Sequence, residues 1–444
     1  MSRPARTLFA AGLPLSGVFA IRLGEVGVRY AFNMVLAVSL GVQGAGQFYL
    51  GISTITLAAA LARFGIDSAA MRQLAVAHKA GKVARVRSIA ALAVGSAALA
   101  GGAIAALLSL AAPFLGTRLL SDPALAAALR PFAFGTLALA VMVTAGSLLS
   151  ALDRPVAGQI IAALVWPSLA TAWLLLGGAG NAALGAVLAM AATALAGLLL
   201  VGREVGCGPL ERVDARGLLA AAGPLFGVEM TYLLLANLPV LALGLWATDE
   251  EAGLFGLAGR VSALLTVLTV AMYAVAAPRL ARLHAASDRA GLRRAAHAAA
   301  RGVTVLALPA AAAMLAFPGP LLALFGEGFR AGAPLLVILA LGQIVNVLFS
   351  QCHTLLAMSG NERCLLRCAV ATLGVLGLAL ALLVPALGAT GAAVATVAAT
   401  LIMSLGSALA VRRRLGLNIL AAYAAPVLVA RLRSGPGRPL EQPK

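Results

Sequence analysis

Residues 20–33, "AIRLGEVGVRYAFN", set Arg22, Glu25 and Arg29 inside a run that is otherwise largely apolar from Leu8 to Val38. About twenty apolar residues in an α-helix cross the hydrocarbon core of a bilayer. A run of this length with embedded charges has three readings. It is the edge of a surface helix, the flank of a cleaved leader, or a membrane helix that keeps polar groups inside for a purpose. The rest of the chain decides among them.

Composition removes the first. The 444 residues are 62% hydrophobic and 11% charged, with only 15 acidic side chains, whereas a soluble domain carries about 25% charged residues. Apolar runs of spanning length recur from end to end, and they are continuous where a membrane β-barrel would alternate. The fold class expected is an all-α polytopic membrane protein. The net charge of +18 does not indicate nucleic acid, because the basic residues fall in short loops between apolar runs and form no single basic domain. Cys207, Cys352, Cys364 and Cys368 have neither metal-site nor disulfide spacing.

Apolar runs between charged or Gly/Pro-rich breaks give twelve spans, at about 12–38, 44–62, 88–111, 130–150, 157–177, 182–202, 219–245, 252–277, 302–324, 331–356, 368–387 and 388–410. A weaker segment, "NILAAYAAPVLVA" at 418–430, is too short to span and reads as an interfacial helix before a polar tail. With the N-terminus inside, 27 Lys and Arg fall on the inner side and 3 outside, which supports an N-in, C-in arrangement. That alternation requires the first helix to stay in the membrane, so the leader reading fails as well.

The chain repeats itself. "RQLAVAHKAGKVARVRS" (72–88) and "RLARLHAASDRAGLRRA" (279–295) start 207 residues apart, as do "LLSALDRP" (148–155) and "LLAMSGNER" (355–363). "GAGNAALGA" (178–186) and "GATGAAVAT" (388–396) are 210 apart. The pattern implies two six-helix halves, 12–202 and 219–411, around a central cavity. An N-terminus at 1–11, a linker at 203–218 and a basic tail at 412–444 lie on the inner side. Each half has an even number of spans, so the halves share one orientation.

Three stretches carry a resemblance to a known family. "FYLGISTITLAAALARFGIDSAAMRQLA" (48–75), "GLFGLAGRVSALLTVLTVAMYAVAAPRLARLH" (253–284) and "LLALFGEGFRAGAPLLVILALGQIVNVLFSQCHTLLAMSGNER" (321–363) resemble the polysaccharide-biosynthesis flippases. That family lies in the multidrug/oligosaccharidyl-lipid/polysaccharide exporter superfamily. The shared features are a glycine-plus-aromatic helix start, the helix arginine Arg260, the proline Pro278 before the inner loop, and a polar tenth span. Between the first two spans the chain departs from the family, with "LGVQGAGQF" (40–48) where members often carry a glycine-proline-acid stretch. The resemblance implies alternating-access movement of an undecaprenyl-diphosphate-linked oligosaccharide, an O-antigen, capsule or exopolysaccharide unit. Transport would run from the cytoplasmic to the periplasmic leaflet of a bacterial inner membrane. It implies no enzymatic step and no cofactor, coupling to H+ or Na+ or to the membrane potential, action as a monomer, and a pathway containing glycosyltransferases and a polymerase.

In that setting the embedded polar residues become candidates. Arg22, Glu25, Arg29 and Asn33 share one face of the first helix, and two guanidinium forks on a cavity wall match the oxygens of a diphosphate. Arg260, together with a polar stripe of Gln343, Asn346, Ser350 and His353 in the tenth span, completes the candidate substrate-binding set. Glu25 and Glu229 are the ion-coupling candidates, with Asn237 beside Glu229. For Arg22, Glu25 and Arg29 the competing reading is an interfacial or purely structural ion-pair cluster, and for Glu229 a buried hydrogen bond between helices. For the stripe it is polar contact between helices, and for Arg260 a head group reaching toward the outer edge. Two other transporters compete with the lead function: a peptidoglycan-precursor flippase and a proton- or sodium-coupled multidrug antiporter. The arginines argue against a cavity built for cations. A membrane glycosyltransferase is disfavoured by the lack of a paired-carboxylate site.

Overall fold

The computed structural model describes residues 4–114, 123–286 and 288–423. Side-chain surroundings are described from Gly24 onward, except at 112–129, 271, 274, 275, 278 and 287. Arg22 and Pro278 are thus outside the described side chains, and most of 418–430 is outside the described residues.

Among the described residues the structure is helical and holds no strand. Ten helices are long and apolar enough to cross a membrane, and two of these double back. The first, Pro4–Arg63, breaks at Gly41, whose φ of 66° and ψ of −171° lie outside helical space. Only a residue without a Cβ adopts that turn cheaply, so "LGVQGAGQF" folds as a one-residue kink between α1 (4–40) and α2 (42–63). Glu362–Leu415 breaks in the same way at Gly388, φ 56°, into α11 (362–387) and α12 (389–415). The remaining spans are α3 (Val83–Phe114), α4 (Pro123–Ala151), α5 (Pro155–Leu175), α6 (Ala182–Val205), α7 (Ala215–Trp246), α8 (Asp249–Ser262 continued by Leu264–Ala285), α9 (Arg289–Ala316) and α10 (Ala333–Met358). Twelve spans result, six in each half of the sequence, as the apolar runs predict.

Local sequence explains the irregularities. α5 carries a π-helical turn at Ile160–Leu164, just before Pro167. That proline has no N–H to give the carbonyl four residues back, so the extra residue in the turn relieves the clash. The basic segment after α2 forms the helix Ile66–Lys79 and buries Ile66, Leu74 and Ala77.

The chain divides into two compact units. One holds residues 1–261, 317–339 and 373–396; the other holds 262–316, 340–372 and 397–444. In the first, the Ile66–Lys79 helix packs with α3 to α6 around Leu74, Ile89, Met142, Leu148 and Leu149, all fully buried. Trp166 sets its ring edge-on to Phe32, centroids 5.6 Å apart. In the second, Leu280, Leu292, Val411, Leu355 and Leu356 form the core. The start of the 418–430 segment packs into this core: Ile419 and Ala422 are buried, and the Tyr423 hydroxyl donates to the Leu348 carbonyl at 3.0 Å.

Candidate functional site

The first unit brings together the polar residues of α1, α2 and α8. The approach depends on glycine. A Cβ on Gly46 would lie 1.8 Å from the Asp249 carbonyl oxygen, and one on Gly253 would lie 2.1 Å from that of Val42. α2 therefore meets the start of α8 backbone to backbone, as small residues permit in membranes. Gln47 closes the outer end by donating to Asp249 Oδ2 at 2.8 Å. Two turns into α8, Gly256 leaves room for the ring of Tyr49, which a Cβ would meet at 2.3 Å. One turn further, the Arg260 guanidinium carbon stands 3.6 Å over the centre of that ring. Arg260 donates from Nη1 to the Gly256 carbonyl at 2.8 Å, and the Tyr30 hydroxyl of α1 donates to the Arg260 carbonyl.

Charge is distributed unevenly over these residues. Arg29 pairs with Glu25 at 2.9 Å while 55% of its side chain stays exposed. Asn33 donates from Nδ2 to the Arg29 carbonyl at 2.6 Å, and its Oδ1 is buried without a hydrogen-bond partner. Arg260 has no carboxylate partner among the described residues; the charged side chain acting on it is that of Arg29, which repels it. At 1.5 Å per residue, Arg29 lies about 18 Å from the Gly41 kink and Arg260 about 16 Å from the start of α8. Against a hydrocarbon core about 30 Å thick, these lengths correspond to mid-membrane. An arginine head at that depth costs about 3 kcal/mol in lipid, which favours a wet surface beside the open side of Arg29.

Glu229 lies elsewhere. Its Oε1 receives a hydrogen bond from Arg63 Nη2 at 2.6 Å, and Arg63 Nη1 reaches Asp67 Oδ2 at 2.5 Å. Arg63 and Asp67 are 7% and 3% exposed and Glu229 is 27% exposed, so a single guanidinium serves two carboxylates. Below them Phe64 stacks on Phe226 at 4.6 Å, and Gly65, with φ 70°, passes so close to Ala222 that a Cβ would lie 2.6 Å from its carbonyl oxygen. Counting from the sequence places Arg63 and Asp67 in a loop; the structure buries them. The available signal was an Arg-Phe-Gly-x-Asp stretch, in which the i, i+4 pair straddles the helix break. Asn237, expected beside Glu229, bonds instead to the carbonyl of Leu233 in its own helix.

The polar stripe of α10 belongs to the second unit. Gln343 Oε1 accepts from Thr266 of α8 and from Asn346, each at 3.2 Å. His353 Nε2 is buried without a hydrogen-bond partner. Gln343 thereby joins α10 to α8. Gln351, off the stripe, is buried with both amide atoms unpartnered.

By sequence, no curated protein matches the chain. Among solved structures it is similar to an inward-facing multidrug resistance MATE transporter of the MOP superfamily, with a TM-score of 0.74 at 12% identity over 92% of this chain and 99% of that one. It is also similar to the lipid II flippase MurJ in an inward closed conformation, with a TM-score of 0.73 at 12% identity over 95% and 94%. A third is a MOP superfamily transporter from Pyrococcus furiosus, described by the reverse polarity of its binding pocket, with a TM-score of 0.63 at 12% identity over 90% and 95%. At these identities the likeness establishes the fold. The sequence profile described as polysaccharide biosynthesis protein matches residues 16–284, more than half of the chain, and the chain belongs to that family.

Proposed function

We propose that this transporter flips an undecaprenyl-diphosphate-linked oligosaccharide from the inner to the outer leaflet of a bacterial inner membrane, by alternating access. The observation that carries the reading is the mid-membrane Arg260, which has no carboxylate partner among the described residues and shares its depth with the exposed Arg29. An organic cation would be repelled there, whereas a lipid diphosphate brings the negative charge that Arg260 lacks. Glu25 holds Arg29 in place until substrate arrives. The glycan's glycosyltransferases and polymerase would act before and after the flip, and an H+ or Na+ gradient or the membrane potential would drive it.

Reconstitution tests the proposal. Proteoliposomes bearing a fluorescent undecaprenyl-diphosphate glycan should lose its inner-leaflet signal to an outer-leaflet probe when wild-type protein is present. Unchanged leaflet distribution, with efflux of cationic dyes instead, would favour the multidrug reading. Lipid II is the specific rival, because it too is a lipid diphosphate and the fold is shared with a lipid II flippase. Preferential transport of lipid II over oligosaccharide carriers would reassign the substrate while keeping the same cations.

A further inference from the structure

The geometry points to Tyr49 as the positioning residue for Arg260, its aromatic face standing in for the counter-ion that an acidic side chain would otherwise supply. The inference rests on the reading of Arg260 as a substrate-binding cation. A guanidinium inside a membrane protein needs a partner. A carboxylate would supply one, but it would also neutralise the charge and compete with an incoming phosphate. An aromatic ring attracts the cation through its quadrupole and leaves the net charge intact.

The surroundings of Tyr49 suit that task. Its ring is 1% exposed and is held between the Gly256 backbone at its edge and Arg260 on its face. Gly256 contributes twice: its missing Cβ admits the ring, and its carbonyl accepts from Arg260 Nη1. These contacts direct the guanidinium without neutralising it. The Tyr49 hydroxyl is buried without a hydrogen-bond partner, so the face of the ring is what this position supplies.

The test is a fluorination series at position 49 in the full-length protein. Tyr49→Phe, then the same ring carrying one, two and three fluorines, weakens the quadrupole stepwise at nearly constant volume. Two readouts are taken in nanodiscs: the Kd for undecaprenyl diphosphate, and the rate at which phenylglyoxal modifies Arg260, followed by mass spectrometry. Tyr49→Phe should match wild type in both. Each fluorine should weaken binding and speed modification, reaching about tenfold in Kd at three fluorines. A flat series in the modification rate, with the protein folded, overturns the assignment of Tyr49. If the modification rate climbs while neither wild type nor any variant binds the lipid, Tyr49 does position Arg260 and the lipid-diphosphate reading is what fails.

Discussion

Arg63 and Arg260 are two arginines within the same compact unit, and the chain treats them in opposite ways. Arg63 ends α2 with two carboxylates on its guanidinium, Asp67 at 2.5 Å and Glu229 at 2.6 Å. Arg260 lies mid-membrane on an aromatic ring, with no carboxylate among the described residues. Burying a charge is costly in either place. At Arg63 the cost is offset inside the protein, which makes the cluster a structural joint between α2 and α7. At Arg260 the positive charge is left over, which is what a site for an anion requires. Under the proposed function, the ratio of cations to carboxylates is what separates a structural arginine from a binding one, although residue type does not.

Removing each guanidinium is the strongest way to break this contrast. Arg63→Met leaves Asp67 and Glu229 facing each other without their cation, and should cost about 3–5 kcal/mol of stability. A sharp fall in the thermal unfolding temperature in detergent would register it. Arg260→Met deletes an uncompensated charge, so its unfolding temperature should equal or exceed that of wild type. Equal losses in both variants would dissolve the distinction.

The next largest effect concerns the contact that holds α8 in place. Gly253→Val puts side-chain atoms where the Val42 carbonyl already lies 2.1 Å from a Cβ position. The helices must separate, at a cost of about 1–3 kcal/mol, and Arg260 moves with α8. Stability and lipid binding should fall together, whereas Arg260→Met changes binding alone.

A smaller change sharpens the account of Arg29. Glu25→Gln removes the carboxylate 2.9 Å from Arg29 and raises the site's net positive charge by one. Affinity for undecaprenyl diphosphate should rise a few-fold and become more sensitive to salt, as titration at two ionic strengths would detect. Weaker binding in this variant would mean that Glu25 orients Arg29 more than it masks it. Smallest of all is Asp153→Asn, which breaks the exposed pair with His78 at 3.6 Å; a stability change under about 1 kcal/mol is expected.

Much of this was legible in the sequence because membranes impose simple rules. Continuous apolar runs and alternating basic loops fix the twelve spans, and a charge within a span stands out against its neighbours. Arg29, Glu25 and Arg260 were visible for that reason. Arg63 was hidden because a basic residue at a span's end looks like an ordinary loop charge; its burial depends on Gly65 turning the chain back toward α7. Tyr49 was hidden because an aromatic residue in an apolar helix carries no signal until a cation is found on its face. Glu229 was seen as a polar group, but its partner lies 166 residues away, beyond the reach of helical periodicity. The α10 stripe stands out as polar residues at helical spacing, yet period alone does not tell a cavity wall from a helix contact. The bond of Gln343 to Thr266 supplies that information at one end of the stripe.

The central claim is that a lipid diphosphate is held by mid-membrane cations, and equilibrium binding tests it most directly. Wild-type protein in nanodiscs would be titrated with undecaprenyl diphosphate and, as control, with undecaprenol, alongside the double variant Arg29→Ala, Arg260→Met. The account predicts binding that requires the diphosphate and weakens by more than about tenfold in the folded double variant. Equal affinity of wild type and double variant for the diphosphate would contradict it.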